Sequence, residues 1–281
     1  MNLKKILPLI LLALLAIGCS PKTEKGFKKK ITKSAGIVSL TSLTSDIIFT
    51  LNPEELIGIP GSSILRKNEN LKNITTVSEG RMPPNIEKII SLNPKLVIGS
   101  QGFHDKTLDK LNALGIDVLN TKINSLSDLF SLVEDLSRIT NSDSKIVFKN
   151  LNSCLINTPP KNKNVVVLVS TKPLLSPNNK SWAGSLLEKF KLKNLTADLE
   201  GSGRMKGYLN LSPEWLIKEQ PDNLILIKFG DEEYNQYSKL PFWNKLKAVE
   251  NNNIDYFDYY GLVNAGSLSS INNTCKKLYS L

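Results

Sequence analysis

The sequence contains little histidine, cysteine or arginine: one histidine, three cysteines and four arginines among 281 residues. A site for bare zinc or manganese uses two or three imidazoles with carboxylates, so the lone His104 argues against a direct metal site. The cysteines have no C-x-x-C spacing. No GxxxxGK[ST] loop, GxGxxG turn or GxSxG turn is present, which leaves nucleotide chemistry and serine hydrolysis without support.

A long apolar run occurs at the N-terminus, over residues 6–17, and follows Lys4 and Lys5. It is too short to span a membrane and has the layout of a secretory signal. Residues 15–19 read Leu-Ala-Ile-Gly-Cys, which resembles a bacterial lipobox, in which the cysteine is lipidated. We therefore predict an exported protein that is anchored to a bacterial membrane, on its periplasmic side, through Cys19. The alternative is an ordinary cleaved signal.

Charge gives little indication of a nucleic-acid partner. The net charge is +10, but two of these charges lie in the signal and many of the others lie in the lysine-rich segment that follows it. Arginine and aromatic residues do not cluster as they do in nucleic-acid sites. We predict a signal peptide at 1–18 and a flexible lipidated tether at 19–34, which either lies near anionic lipids or is simply solvated.

One pattern occurs twice in the rest of the chain. A Gly-Arg-Met triplet precedes a helix start, a glutamate falls in the first turn, and a proline and an apolar strand follow seven residues later. Asn85 and Ser212 are good N-caps, and they place the two glutamates in the same early turn of their helices. The repeat predicts two similar lobes. Its glutamates are Glu87 and Glu214.

Apolar strands alternate with amphipathic helices along the whole chain after the tether, which is typical of an α/β fold with parallel sheets. We predict an N-terminal lobe at 35–139, a single long helix at 140–160 that joins the lobes, and a C-terminal lobe at 161–281. Both lobes have mostly parallel central sheets. Ligands of such folds bind beyond the carboxyl ends of the strands, so we predict a ligand cleft between the lobes.

These residues resemble the substrate-binding proteins of bacterial ABC importers for vitamin B12, ferric siderophores and haem, whose lobes are joined by one rigid helix. The resemblance covers nearly everything from residue 35 onward, and its matching stretches are 36–44, 84–98, 114–118, 211–217, 220–222 and 242–249. It implies a monomeric receptor that is not an enzyme and has no resident cofactor. Its implied partners are a small-molecule ligand and an ABC permease with its ATPase.

The resemblance also assigns roles to the repeated glutamates. In the family, one glutamate on each lobe engages arginine pockets of the permease, and the matching positions are Glu87 and Glu214. Exposed carboxylates form charge-assisted, often bidentate, bonds with guanidinium groups. The alternative is that each acid only complements a helix N-terminus.

Two of the four arginines, Arg81 and Arg204, stand in the repeated triplets that are expected to flank the cleft. A planar guanidinium makes forked contacts to carboxylate or catecholate oxygens that lysine does not reproduce. These arginines indicate an anionic chelated iron complex, such as a ferric siderophore or ferric citrate. Alternatively, they cap loops or pair within a lobe.

Other cleft candidates are aromatic. Relatives that bind cobalamin tend to carry an aromatic residue where this chain has Tyr208, but the equivalent position before Glu87 is Arg81, which disfavours cobalamin. Haem stays open, with His104 or Tyr260 as an axial ligand. A non-transport lipoprotein or an enzyme that has reused the fold is the remaining alternative.

The complete predicted ligand-binding set is Arg81, Met82, Phe103, His104, Trp182, Arg204, Tyr208 and Tyr260. Phe103, Trp182, Tyr259 and Tyr260 lie in loops after predicted strands, where they are candidates to stack on a flat ligand. For these four residues, burial in the core is the other interpretation.

The two cysteines other than Cys19 are Cys154 and Cys275. An exported protein can keep a disulfide, but the sequence does not show whether these two lie within bonding distance.

Overall fold

The computed structural model describes residues 36–79, 82–201, 206–228 and 234–281. The predicted signal, Cys19 and the tether lie outside these ranges, as do Arg81 and Arg204. The described residues belong to one compact unit. Within the described ranges, no helix combines the length and apolar character needed to cross a membrane.

The first lobe is built on a five-stranded parallel sheet with the strand order β3-β2-β1-β4-β5. Its central strands carry apolar residues on both faces because helices cover both sides. The strands are β1 Ile37–Ser39, β2 Leu56–Gly61, β3 Thr75–Glu79, β4 Leu96–Ser100 and β5 Val118–Thr121. The helices are α1 Ser42–Leu51, α2 Ile86–Ser91, α3 Asp105–Ala113 and α4 Leu126–Ile139, with short 3-10 turns at Pro53–Glu55, Leu65–Lys67 and Glu69–Leu71.

The connection between the lobes differs from the prediction. The sequence predicts one continuous helix over 140–160, whereas the structure has two short helices there, α5 Lys145–Asn150 and α6 Asn152–Leu155. Leu151 interrupts them, with φ −109° and ψ 19°, which are not helical values. The prediction of a single long helix is therefore wrong, although the segment is partly helical. Among the residues that the structure describes, the longest helix is α4, with 14 residues, and it lies before the connection.

The second lobe contains a parallel sheet with the order β12-β11-β6-β9 and a small antiparallel sheet with the order β10-β8-β7. The strands are β6 Asn164–Leu168, β7 Ser170–Thr171, β8 Leu174–Pro177, β9 Lys193–Asn194, β10 Tyr208–Asn210, β11 Asn223–Lys228 and β12 Ile254–Asp258. The helices are α7 Trp182–Lys189, α8 Pro213–Glu219, α9 Tyr234–Ser238, α10 Lys247–Glu250, α11 Tyr259–Leu262 and α12 Leu268–Ser280, with a 3-10 turn at Trp243–Lys245.

The repeated sequence pattern forms the same helix start in both lobes. The Asn85 side chain accepts a hydrogen bond from the Lys88 backbone N–H at 2.9 Å, and the Ser212 hydroxyl accepts one from the Trp215 N–H at 3.1 Å. Glu87 is therefore the second residue of α2, as Glu214 is of α8. Both predicted N-caps are confirmed.

The end of the repeat is also shared. Asn93 and Gln220, directly before the repeated prolines, both have left-handed backbone, with φ 48° and 44°. The strand that follows occupies the same place in each sheet, because β4 pairs with β1 and β5, and β11 pairs with β6 and β12. The strands β1-β4-β5 and β6-β11-β12 are therefore equivalent parts of two similar lobes.

Helix α12 fastens the end of the chain to the connection and to the first lobe. Cys275 on α12 is bonded to Cys154 on α6, and both are fully buried. The Leu268 N–H, at the start of α12, donates to the Asp46 carboxylate on α1 at 2.8 Å. Burial raises the pKa of the Asp46 carboxyl, and the hydrogen bond from Leu268 opposes that rise. The disulfide agrees with an exported location, where such bonds persist.

Candidate functional site

One close approach joins the two lobes near the carboxyl ends of their strands, and we take it as the floor of the predicted cleft. Ile64 follows β2 of the first lobe, and Gly266 follows β12 and α11 of the second. A β-carbon at Gly266 would lie 2.6 Å from Ile64 Cδ1 and 2.6 Å from Tyr260 Cδ1. The backbone of the second lobe is thus enclosed between an aliphatic side chain of the first lobe and an aromatic ring. A glycine at this position permits that close approach.

A cluster of three tyrosines lies beside this floor. The rings of Tyr259 and Tyr260 meet edge to face, with centroids 5.3 Å apart, and the Tyr208 hydroxyl donates to the Val263 carbonyl at 3.3 Å. Burial raises the pKa of the Tyr208 hydroxyl. Burial also raises the pKa of the Tyr259 hydroxyl, and the neighbouring Tyr260 makes a smaller contribution in the same direction. Both phenols are therefore neutral at physiological pH. Tyr260 is 39% exposed.

Trp182 does not belong to the exposed surface of this site. Its side chain is only 4% exposed, and its indole N–H donates to the Gly261 carbonyl at 2.8 Å. Buried indole N–H groups usually find such a partner. The structure places Trp182 in the core, which corrects its assignment as a ligand-stacking residue, and gives it a supporting role under the turn that carries Tyr260.

The first lobe contributes exposed apolar side chains at the carboxyl ends of its strands. Phe103, after β4, is 87% exposed, and Met82, after β3, is 69% exposed. Asp105 fixes the turn that carries Phe103, because its carboxylate accepts from the Gly102 N–H at 2.9 Å and from Asn120 Nδ2 at 2.8 Å. A single exposed apolar side chain does not by itself mark a site, so the exposure of Phe103 shows only that it is not a core residue.

His104 lies in the same turn, and a hydrogen bond from the backbone holds its ring there. Its Nδ1 accepts a hydrogen bond from the Ser100 N–H at 3.0 Å, so the ring proton resides on Nε2. Burial lowers the pKa of His104, and the nearby Asp105 opposes that change. A histidine that ligates iron through Nε2 normally carries its proton on Nδ1 and donates it to a second group. The observed tautomer therefore argues against His104 as an axial haem ligand.

Glu87 and Glu214 are both exposed and make no ion pair with any residue that the structure describes. Each of their helices precedes a parallel strand and therefore runs toward the edge at which strands begin, so the two carboxylates, in the first turns, lie toward the opposite edge, at which strands end. Of the predicted ligand-binding residues, the structure brings Tyr208 and Tyr260 into one cluster. It presents Met82 and Phe103 on the other lobe.

Sequence reasoning missed two features of the site: the supporting carboxylate of Asp105 and the enclosed Gly266. Both depend on contacts that no local sequence pattern indicates, such as Asp105 with Asn120 and Gly266 with Ile64. Tyr259 was among the predicted aromatic candidates, and the structure places its ring against that of Tyr260.

The chain was compared with known proteins. It is 25% identical to the iron-uptake system-binding protein of Bacillus subtilis, over 90% of each chain. It is 24% identical to an uncharacterized ABC transporter substrate-binding lipoprotein of the same organism, over 78% of this chain and 71% of that protein. The predicted family resemblance is confirmed. No family model matches the chain. Both relatives are named as binding proteins, which agrees with the prediction that the chain is not an enzyme.

Solved structures of substrate-binding proteins share the fold. A possible iron-binding, periplasmic solute-binding protein of Staphylococcus epidermidis matches with a TM-score of 0.72 and 21% identity, over 89% of this chain and 98% of that one. The haem-binding protein HutB of Vibrio cholerae matches with a TM-score of 0.69 and 21% identity, over 88% and 98%. The two-lobed α/β architecture is therefore established.

Proposed function

We propose that this protein is the receptor of an ABC importer, that it captures an anionic chelated iron complex between its lobes, and that it delivers the complex to a permease and its ATPase. The observation that carries the proposal is the pair of equivalent carboxylates, Glu87 and Glu214. They occupy the same helical position in both lobes and project without an ion-pair partner among the described residues. A partner that binds both carboxylates covers the mouth of the cleft.

An iron chelate is favoured as the ligand by the guanidinium groups of Arg81 and Arg204, which stand in the repeated triplets. The exposed rings of Phe103 and Tyr260 add apolar contact area from opposite lobes. A relative that is named for iron uptake supports the same cargo. In this proposal iron enters and leaves with the ligand, and the protein holds no resident cofactor.

Haem is the second candidate, because a haem-binding protein shares the fold. The hydrogen bond from the Ser100 N–H to His104 Nδ1 disfavours His104 as its axial ligand. Tyr260, which is partly exposed, is the other candidate for that position.

The proposed location is the periplasmic side of a bacterial membrane, with lipid attached at Cys19 and a tether at 19–34. Relatives that are named as lipoproteins support an exported location. The proposed receptor acts as a monomer.

A thermal-shift screen tests the ligand. The purified protein is heated with ferric siderophores, ferric citrate, cobalamin or haem, since a ligand that binds only the folded state stabilises it by about 2.7 kcal/mol at 100 times its Kd. We expect an anionic ferric complex to raise the Tm by roughly 5–10 °C. Stabilisation by cobalamin or haem alone would replace the proposed ligand. No response to any of the four would favour a protein that has reused the fold.

The double variant Arg81→Ala/Arg204→Ala tests the chemistry of recognition. Hydrogen bonds to charged groups contribute about 1.5–3 kcal/mol each, so we expect ligand affinity to fall about 100-fold or more while the melting temperature of the free protein stays the same. Isothermal titration with the ligand found in the screen measures the loss. Arg138→Ala is the matched control, because Arg138 pairs with Asp135 on the exposed face of α4. Equal affinities in the double variant and the control would refute the anionic-ligand proposal.

A further inference from the structure

An apolar groove of about 510 Å³ lies beside α8 in the second lobe. Apolar side chains form most of its lining, and the charged groups in the lining are one carboxylate and one ammonium. The principal lining residues are Leu211, Ile217, Leu240, Phe242, Glu214 and Lys245.

The groove is held open by the structure around it. Leu211 and Phe242 are only 8% and 7% exposed, so the floor is part of the core. Gln220, just past the end of α8, bridges the two walls. Its Nε2 donates to the Lys245 carbonyl at 2.9 Å, and its Oε1 accepts from the Lys247 N–H at 2.8 Å. A preformed groove loses little conformational freedom when it is filled.

We propose that this groove receives an apolar side chain of the permease, from a periplasmic loop that also carries the basic group that pairs with Glu214. This inference rests on the proposed function and deepens it. Glu214 lines the groove itself, so a partner that binds this carboxylate also covers the groove. Side chains that fill well-packed, desolvated pockets carry most of the binding energy of an interface.

The groove also distinguishes the two lobes. The carboxylates Glu87 and Glu214 are equivalent by the internal repeat and do not by themselves define which lobe faces which part of the permease. The far wall of the groove comes from the chain between β11 and β12, which is longer than the chain between the equivalent strands β4 and β5. The groove therefore supplies a contact that belongs to the second lobe and fixes the orientation of docking.

The test uses the full-length protein and the complete importer in nanodiscs. Leu240 is partly exposed in the groove, and two variants change it in different ways: Leu240→Gln makes the wall polar, and Leu240→Trp fills the space. Ile146→Gln is the matched control, because Ile146 is 49% exposed on α5. We expect both Leu240 variants to bind the permease about 10-fold more weakly, with unchanged thermal shift by the ligand, and the control to bind normally.

Normal permease binding by a folded Leu240 variant would overturn the inference. If Leu240→Gln melts early, Leu240→Trp decides, because its side chain is predominantly apolar and its single polar group is the indole N–H. The variant Glu87→Ala/Glu214→Ala tests the proposed function separately from the groove. Normal docking of this variant would reject the whole proposed docking surface. If this variant fails to dock while both Leu240 variants dock normally, only the role of the groove is rejected. Analytical ultracentrifugation of the free protein completes the test, because self-association that the Leu240 variants abolish would assign the groove to a second copy instead.

Discussion

Replacing Glu87 and Glu214 together by alanine is expected to abolish uptake of the ligand and to leave its affinity for the receptor unchanged. Both carboxylates are exposed and lie outside the tyrosine cluster that we place in the cleft. Their proposed partners are guanidinium groups, and bonds between ionised groups contribute about 1.5–3 kcal/mol each. Loss of both bonds therefore weakens docking by about two to four orders of magnitude, while each single variant keeps part of the activity.

The competing role of these residues makes a different prediction. A glutamate in the first turn interacts favourably with the helix dipole and stabilises the helix by about 0.3–1 kcal/mol. If this were their whole contribution, the double variant would melt slightly earlier and would transport normally. Uptake of radiolabelled iron complex into cells, together with the thermal melt of the purified protein, separates the two roles.

A control on the same helix sharpens this experiment. Glu219 is exposed at the opposite end of α8 from Glu214, so Glu219→Ala removes an equal charge without touching the proposed docking position. We expect this variant to transport normally. Equal loss of uptake in Glu219→Ala and Glu214→Ala would show a general effect of charge and would count against a specific contact.

The parts of the fold that the sequence predicts well are those with local causes. The helix starts at Asn85 and Ser212 follow from the hydrogen bonds that their own side chains make, and the repeat of these signals reveals two equivalent lobes. The antiparallel sheet of the second lobe was not predicted, because its strands have only two to four residues. Such lengths are too short to show a period along the chain.

The connection and the site show where local signals end. Residues 143–155 have a helical pattern throughout, but the structure breaks the helix at Leu151, which is fully buried in the core. Similarly, an aromatic residue in a loop after a strand has the same local sequence pattern whether its side chain faces a ligand or the core. Phe103 is exposed and Trp182 is buried, and only the contact between the Trp182 indole and the Gly261 carbonyl tells them apart.

Removal of the disulfide is expected to destabilise the folded lobes strongly. Cys154 and Cys275 are 121 residues apart, and the bond is buried on both sides. A crosslink that closes a loop of this length restricts the unfolded chain and stabilises the native state by about 4–5 kcal/mol. The variant Cys154→Ala/Cys275→Ala should therefore unfold at a clearly lower urea concentration. We use the double variant because a single substitution leaves a free thiol in the core.

Reduction supplies the control for this prediction. A reducing agent should lower the urea midpoint of the natural protein toward that of the double variant and should leave the double variant itself unchanged. A natural protein whose midpoint does not respond to reductant, and which matches the double variant, would contradict the predicted contribution of the bond.

The position of the disulfide gives its loss a second consequence. It ties α12 to the connection between the lobes, next to the hydrogen bond from the Ser153 N–H to the Asn272 side chain at 2.9 Å. Together with the bond from Leu268 to Asp46, it holds the C-terminal helix against both the connection and α1. A cleft held in this way is largely preformed, so ligand binding costs little ordering. We therefore expect the double cysteine variant, measured where it is still folded, to bind the ligand more weakly, with a less favourable binding entropy in calorimetry; an unchanged entropy would show that the other contacts suffice to fix the lobes.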